Sequence, residues 1–206
     1  MLYLGRHGST VLNPGDPEDP RDYHRGWAEE VISELGTISA NEMGLWFKDQ
    51  PLDYIVSSPL QRARQTANII SEITKVPVLK LDPRLMTWNL GVFSGNLATP
   101  QTHALLDIYQ YELPEAKVPF GESYHTFVRR WAGGISFWLE KSKEHDILLL
   151  THHRPILAIP LVLWGEKAKK EGPPGPGGVV VLEKKELKVV FESPSEEKAL
   201  HGNSGK

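Results

Sequence analysis

The chain has 206 residues, a formal net charge of −3 and no cysteine. That length suits one sizeable α/β domain, and a 40% hydrophobic content can fill its core. The charge leaves no basic footprint for nucleic acid, and the missing thiol excludes disulfides, cysteine nucleophiles and zinc–thiolate centres.

No apolar run approaches the ~20 residues of a membrane-spanning helix. The N-terminal MLYLGRHG reaches a charged side chain at Arg6, too early for a secretion signal. The expectation is a cytoplasmic protein with neither membrane nor nucleic-acid partner.

Leu2, Tyr3 and Leu4 read as a short buried strand interrupted by Gly5. Residues 13–25, NPGDPEDPRDYHR, hold too much Pro and Asp for regular structure, and the length of the stretch marks a functional surface loop. Ile38, Leu45, Trp46 and Phe47 among polar neighbours predict a helix within 36–50. YIVSS at 54–58 is a second strand. Ser58 as N-cap, Pro59 at the first helical position and Gln61 closing a capping box then predict a helix start. Leu60, Ala63, Ala67 and Ile70 recur on one face of that helix.

VPVLKL at 76–81 is a third strand, and DPRLMTWNLGVFSG at 82–95 a loop. Tyr124, Phe127, Val128, Trp131, Ile135, Trp138 and Leu139 form one face of a helix over 122–142, a core stripe. ILLLT at 147–151 predicts a central parallel strand, and 154–165 another helix. KKEGPPGPGG is a turn-rich connection, and VVVLEKKELKVVF a closing hairpin. The domain is expected over 1–192, with a polar, disordered tail over 193–206.

Strands alternating with helices predict a mostly parallel central sheet covered on both faces, a three-layer α/β sandwich. Ligands bind such sheets beyond the carboxyl ends of the strands. Three predicted strand ends carry reactive residues: Arg6-His7-Gly8-Ser9, Ser57-Ser58 with Arg62, and His152-His153-Arg154. If those strands are neighbours, arginines, histidines and a helix N-terminus share one crevice, which is an anion site. Arg62 in a first helical turn opposes the helix dipole, and a bound anion offsets that cost. Neither GxxxxGK[ST] nor GxGxxG is present, so side chains would hold a phosphate.

A neutral imidazole at the floor of a phosphate pocket can attack phosphorus and form a phosphohistidine that water later cleaves. Fixed cations stabilise the equatorial charge of the transition state, and the leaving oxygen needs a general acid. Two adjacent histidines near aspartates also raise a zinc site, but they lack the i, i+4 spacing of a helical HExxH pair. The expectation is no metal and no cofactor.

LGRHGST resembles the signature of the histidine phosphatase superfamily, the phosphoglycerate mutase-like group. Further pieces match in order: Asn13, RGW at 25–27, SELG at 33–36, SSPLQRARQTA at 57–67, FGES at 120–123 and TH at 151–152. The resemblance spans roughly residues 2–182. It implies a phosphoglycerate mutase-like fold and a metal-independent phosphatase. His7 would be the nucleophile, Arg6, Arg62 and His152 the phosphoryl ligands, and Asn13 an additional contact. Ser9, Gly26 and Trp27 complete the expected substrate-binding set, with Trp27 and Trp88 at the rim. The implied partner is a small phosphorylated molecule or a phosphoprotein, and the implied assembly a homodimer.

One departure matters. Members carry a glutamate proton donor in a stretch resembling LxExxxGxxxG, and here Thr87 stands in its place. A hydroxyl is far too weak an acid to substitute for a carboxyl. Glu122, His153, or the loop carboxylates Asp16, Glu18, Asp19 and Asp22 are the candidates, unless the leaving group is good enough to need no acid. His153 falls where members often have glycine, and the phytase-like branch carries an acidic donor at that position. The competing reading is a catalytically weakened phospho-ligand binding protein, with a phosphoglycerate mutase behind both. His24, His103, His125 and His145 read as ordinary residues, on the surface or one layer behind the site.

Overall fold

The computed structural model describes residues 1–14, 19, 21–167, 172, 174–183 and 186–202. Its sheet strands are β1 (Leu2–Arg6), β3 (Tyr54–Ser57), β4 (Val78–Leu81), β6 (Ile147–Thr151), β7 (Val179–Glu183) and β8 (Glu186–Phe191), with β2 (Tyr23–His24) and β5 (Asn96–Leu97) forming a separate ribbon. The helices are α1 (Glu34–Phe47), α2 (Gln61–Thr74), α3 (Pro100–Asp107), α4 (Tyr124–Lys141), α5 (His153–Leu157), α6 (Ile159–Trp164) and α7 (Pro194–Gly202).

The main sheet runs β4-β3-β6-β1-β7-β8. Its first four strands are parallel, and β7 and β8 add antiparallel partners. β6 is buried throughout and lies between β3 and β1, as its apolar sequence predicts. Alternation along β6 divides the core. Ile147 and Leu149 meet Phe127, Trp131 and Ile135 of α4, while Leu148 and Leu150 meet Met43 and Phe47 of α1 and Ile70 of α2. Helices therefore cover both faces, and the three-layer expectation holds.

Four local expectations change. The helix after β3 starts at Gln61, not Pro59, and Ser58 does not cap it. The Ser58 hydroxyl accepts the Leu60 N–H and faces His152 instead. The predicted 154–165 helix is split into α5 and α6 around Ala158, because Pro160 brings no N–H to continue the ladder. The 13–25 loop gains one regular turn of pairing where Tyr23 and His24 meet Leu97 and Asn96. Its residues 15–18 and 20, including the candidates Asp16 and Glu18, lie outside the described residues, as does much of KKEGPPGPGG.

The tail expectation fails over 193–202, where α7 forms and docks. Ser193 and Glu196 are buried, and the hydroxyls of Ser193 and Ser195 bond the Glu42 carboxylate on α1. Polarity misled the reading: these polar groups find partners on the domain rather than water.

The loop after β1 rests directly on α1. Ser33 caps α1 by accepting the Gly36 N–H, and its own N–H donates to Ser9 O at 2.9 Å. A Cβ on Gly36 would lie 2.0 Å from Ser9 O, and one on Gly8 would lie 2.3 Å from Gly36 O. Only two glycines permit that approach. Gly36→Ala is expected to destabilise the fold by about 1–3 kcal/mol through overpacking, a fall of about 2–4 °C in Tm per kcal/mol. Thermal unfolding by circular dichroism checks it, and an unchanged Tm would show that the contact is slack.

Candidate active site

Parallel pairing sets Arg6 opposite Thr151 across β1 and β6, so His7 and His152 follow at neighbouring strand ends. Their ring centroids are 5.0 Å apart. β3 lies on the other side of β6 and delivers Ser58 and, one helical turn later, Arg62. Arg6, His7, Arg62, His152 and Thr87 line one chamber.

His7 is almost fully buried. Its Nδ1 lies 2.8 Å from Gly8 O, so Nδ1 carries the proton and donates it. Nε2 is then the bare nitrogen, and it accepts the Arg62 Nε–H at 3.2 Å. Burial, then the neighbouring Arg62 and Arg6, push the His7 pKa well below its ordinary value. The ring is therefore neutral at physiological pH, which is the nucleophilic form.

Arg62 is buried and held from several sides, with one Nη2 N–H left over. It donates to Gly26 O, Ala28 O and the Glu30 carboxylate, the last at 3.1 Å. Arg6 donates to Pro174 O, while its buried Nε has no partner among the described residues. His152 resembles Arg6 in this respect. The Ser58 hydroxyl accepts the Leu60 N–H, and His152 Nε2 at 2.8 Å is the one acceptor within reach of its own proton among the described residues; with that proton donated to Nε2, the ring N–H is on Nδ1. That Nδ1 is buried and also unpartnered among the described residues. Two buried donors without acceptors, beside a bare nucleophilic nitrogen, define a place for an anion.

The remaining expected residues divide. Gly26 lines the chamber. Its φ of +45° and the Ser94 Oγ, 2.4 Å from where a Cβ would stand, explain the glycine. Asn13 lines an adjoining chamber and holds the turn from Thr10 through its Oδ1. Ser9 is absent from both linings and bonds Glu196 of α7 through its N–H and hydroxyl, at 3.1 and 2.7 Å. Trp88 is not a rim residue, and Trp27 is half-buried beside the chamber wall. Trp88 is in the core with its indole N–H on Glu122 O, and Trp27 donates to Thr87 O.

Among the proton-donor candidates, Glu122 is bound to Arg130 at 2.7 Å and to the Asn89 N–H, and it lies outside the chamber lining. Asp19 is paired with Arg21 and Tyr23. His153 does line the chamber, but burial, then Arg6, lowers its pKa to about 3, and its Nε2 meets Gly172 O. Asp22 is the one carboxylate among the described lining residues.

Several contributors escaped the sequence reading. His24 and His103, read as bystanders, line the chamber with rings 4.8 Å apart. His125 and His145 are exposed and remote, as expected. Glu30, Glu196, Arg25 and Arg154 also converge here; Arg154, next to the His pair, and Arg25, in the RGW piece, carried a local signal, and the two glutamates did not.

A family model of the histidine phosphatase superfamily (branch 1) matches residues 2–186. The chain belongs to that superfamily. It is 27% identical over 174 residues to a probable phosphoglycerate mutase GpmB of Yersinia pestis, covering 83% of this chain and 78% of that one. The phosphoglycerate mutase from Bacillus anthracis superposes with a TM-score of 0.70 at 21% identity, over 98% of this chain and 96% of that chain. A mycobacterial glucosyl-3-phosphoglycerate phosphatase in complex with VO3 gives 0.68 at 24%, over 93% and 98%. The fold is thus phosphoglycerate mutase-like. No described helix is long and apolar enough to cross a membrane.

Two expectations follow. Glu196→Ala strands the Ser9 N–H and hydroxyl and is expected to cost about 1–3 kcal/mol of stability, read by denaturant unfolding. Unchanged stability would mean α7 is only laid on the surface. Histidines buried in the neutral form also set an acid limit. The folded pKa is about 3 for His153 and about 4 for His24, and well below normal for His7 and His152. The unfolded chain binds protons near pH 6.5, so stability is full above that pH and falls as pH drops from 6.5 toward 3. Each group contributes a slope of up to about 1.4 kcal/mol per pH unit. A Tm that stayed flat between pH 6.5 and 4.5 would contradict this.

Proposed function

We propose that the chain is a phosphatase that hydrolyses a phosphate monoester of a small molecule through a phosphohistidine on His7. The observation that carries this reading is the bare His7 Nε2, held by Arg62 and faced by the unpartnered donors Arg6 Nε and His152 Nδ1. Nε2 attacks phosphorus as the bond to the leaving oxygen breaks. Arg6, Arg62 and His152 take up the equatorial charge. Water then attacks the phosphohistidine, releasing phosphate and restoring the neutral ring. Side chains of the protein serve both phosphoryl transfers, and the reading invokes no metal.

Thr87 at the wall of the chamber leaves protonation of the leaving oxygen to Asp22 or to the leaving group itself. That same residue supports the second reading, a phospho-ligand binding protein with weakened chemistry. Return of the phosphoryl to a second hydroxyl, as in a mutase, needs an efficient acid–base residue and ranks behind both.

An activated aryl phosphate and an alkyl phosphate separate the readings. The aryl ester is expected to turn over, with His7→Ala lowering the rate at least about 10³-fold. The alkyl ester is expected to be slower, and Asp22→Asn to slow it more than the aryl ester. If wild type binds phosphate or vanadate yet hydrolyses neither ester, the binding reading replaces the catalytic one.

A further inference from the structure

The tautomer of His7 decides which of its nitrogens attacks, and the hydrogen bond at the other nitrogen decides the tautomer. That bond is made by the Gly8–Ser9 peptide. Its carbonyl, Gly8 O, lies 2.8 Å from His7 Nδ1 and accepts the ring proton. Its N–H, on Ser9, donates to Glu196 Oε1 at 3.1 Å. In a planar trans peptide the N–H and the C=O point in opposite directions, so a carboxylate that holds the one aims the other.

The peptides on either side are held by uncharged groups. Between His7 and Gly8 the carbonyl accepts the Gly177 N–H, and the N–H donates to Thr66 Oγ1. Between Ser9 and Thr10 the carbonyl accepts the Ser33 N–H, and the N–H donates to Asn13 Oδ1. The unit between them is tied to a charged side chain, and Gly8 at its start has no Cβ to resist a flip.

Glu196 is itself fixed. It is buried, and its Oε2 accepts the Ser9 hydroxyl at 2.7 Å, so both of its oxygens are committed to Ser9. Its helix, α7, is anchored on α1 by Ser195, whose hydroxyl and N–H donate to the Glu42 carboxylate at 2.6 and 3.3 Å. Neither Ser9 nor Glu196 lines the chambers, so this carboxylate acts from behind His7. Hydrogen bonds in series polarise one another. A carboxylate on the Ser9 N–H makes Gly8 O a stronger acceptor, and a stronger acceptor at Nδ1 makes Nε2 more basic. When Nε2 gives its lone pair to phosphorus, the leaving oxygen takes the electrons of the breaking bond. The ring becomes a cation that keeps its proton on Nδ1, and the carbonyl backed by Glu196 stabilises that charge.

We propose that Glu196 is a positioning residue for His7: through the Gly8–Ser9 peptide it fixes the ring proton on Nδ1 and leaves Nε2 bare for attack. The effect on rate rests on the phosphatase reading of the site, whereas the effect on the tautomer does not.

The test reads the His7 ring by NMR of nitrogen-labelled histidine, with His7→Ala identifying its signals, and reads kcat and KM on an activated aryl phosphate. Wild type is expected to carry the proton on Nδ1. Glu196→Ala is expected to give mixed tautomers or the Nε2–H form, with KM little changed and kcat down about 10–100-fold, the cost of losing the outer partner of a metal-bound imidazole. Glu196→Gln keeps an acceptor for the Ser9 N–H and is expected to restore the wild-type tautomer and most of kcat. Ser195→Ala loosens α7 but leaves Glu196 in place, and is expected to lower Tm with the tautomer and kcat of wild type. An unchanged tautomer in Glu196→Ala overturns the proposal even if the rate falls. A shifted tautomer with unchanged kcat overturns it too, as does an equal shift in Ser195→Ala. If Glu196→Ala does not fold, Glu196→Met, which keeps the side chain's length without its oxygens, takes its place under the same readings. If wild type hydrolyses no ester, the phosphatase reading falls, and the tautomer comparison alone judges Glu196.

Discussion

The site depends on one register: β1 beside β6, in parallel, with Arg6 opposite Thr151. Shift that pairing by a residue and every side chain changes face. In the observed register a histidine follows each strand, and the two rings meet 5.0 Å apart, with the segment after β3 supplying Ser58 and α2 supplying Arg62 from the other side. Thr151 fixes the end of β6 by donating its hydroxyl to Leu85 O at 2.7 Å. The His7 N–H donates to Thr151 O, so even the first residue beyond β1 remains tied to β6. Strand pairing, not loop chemistry, therefore positions His7, which gives it the rigidity that a preorganised site requires.

Gathering cations in a buried crevice is costly unless each finds compensation. The chain meets that cost with acceptors drawn from distant segments. The turn at 26–28 offers two carbonyls to Arg62, Glu30 offers a carboxylate, and α7 sends Glu196 to the loop beside Arg6. These contacts neutralise and orient the arginines without occupying the donors that face the chamber. Burial first, and then the same cations, keep His7 and His152 from protonating. A buried, positively charged pocket thus suits an anion and favours neutral imidazoles together.

The sheet and the Arg–His cluster at its strand ends were legible because their signals are local. β6 announces itself as an apolar run, α4 by its aromatic stripe, and Arg6, His7, Arg62 and His152 by adjacency to strand ends. What stayed hidden depends on chain segments far apart in sequence. Glu196 lies 187 residues from Ser9, and nothing in ESPSEEKAL reveals a docked helix until Glu42 and Ser9 are seen across from it. His24 enters through a two-residue ribbon with Asn96, too short for periodicity to detect. Trp88 looked like a rim residue because its neighbours are loop-forming, whereas tertiary packing on Tyr124 buries it. Ser58 had the chemistry of a cap, and a long-range partner, His152, took the hydroxyl instead.

Position 87 shows how a site can keep its frame while its chemistry changes. The Thr87 carbonyl accepts from the Trp27 indole at 2.8 Å and from Arg130 Nη2 at 3.0 Å. Arg130 also holds the carbonyls of Pro83, Arg84 and Met86, and Glu122 balances its charge. Glu122 is thereby committed to the frame and is a poor source of protons for the chamber. All of these bonds use backbone at 83–87 and are indifferent to the side chain that residue 87 presents. A carboxyl-bearing residue there would need no new scaffold, and a threonine leaves the scaffold intact. The segment fixes where residue 87 faces the chamber but not what chemistry it brings.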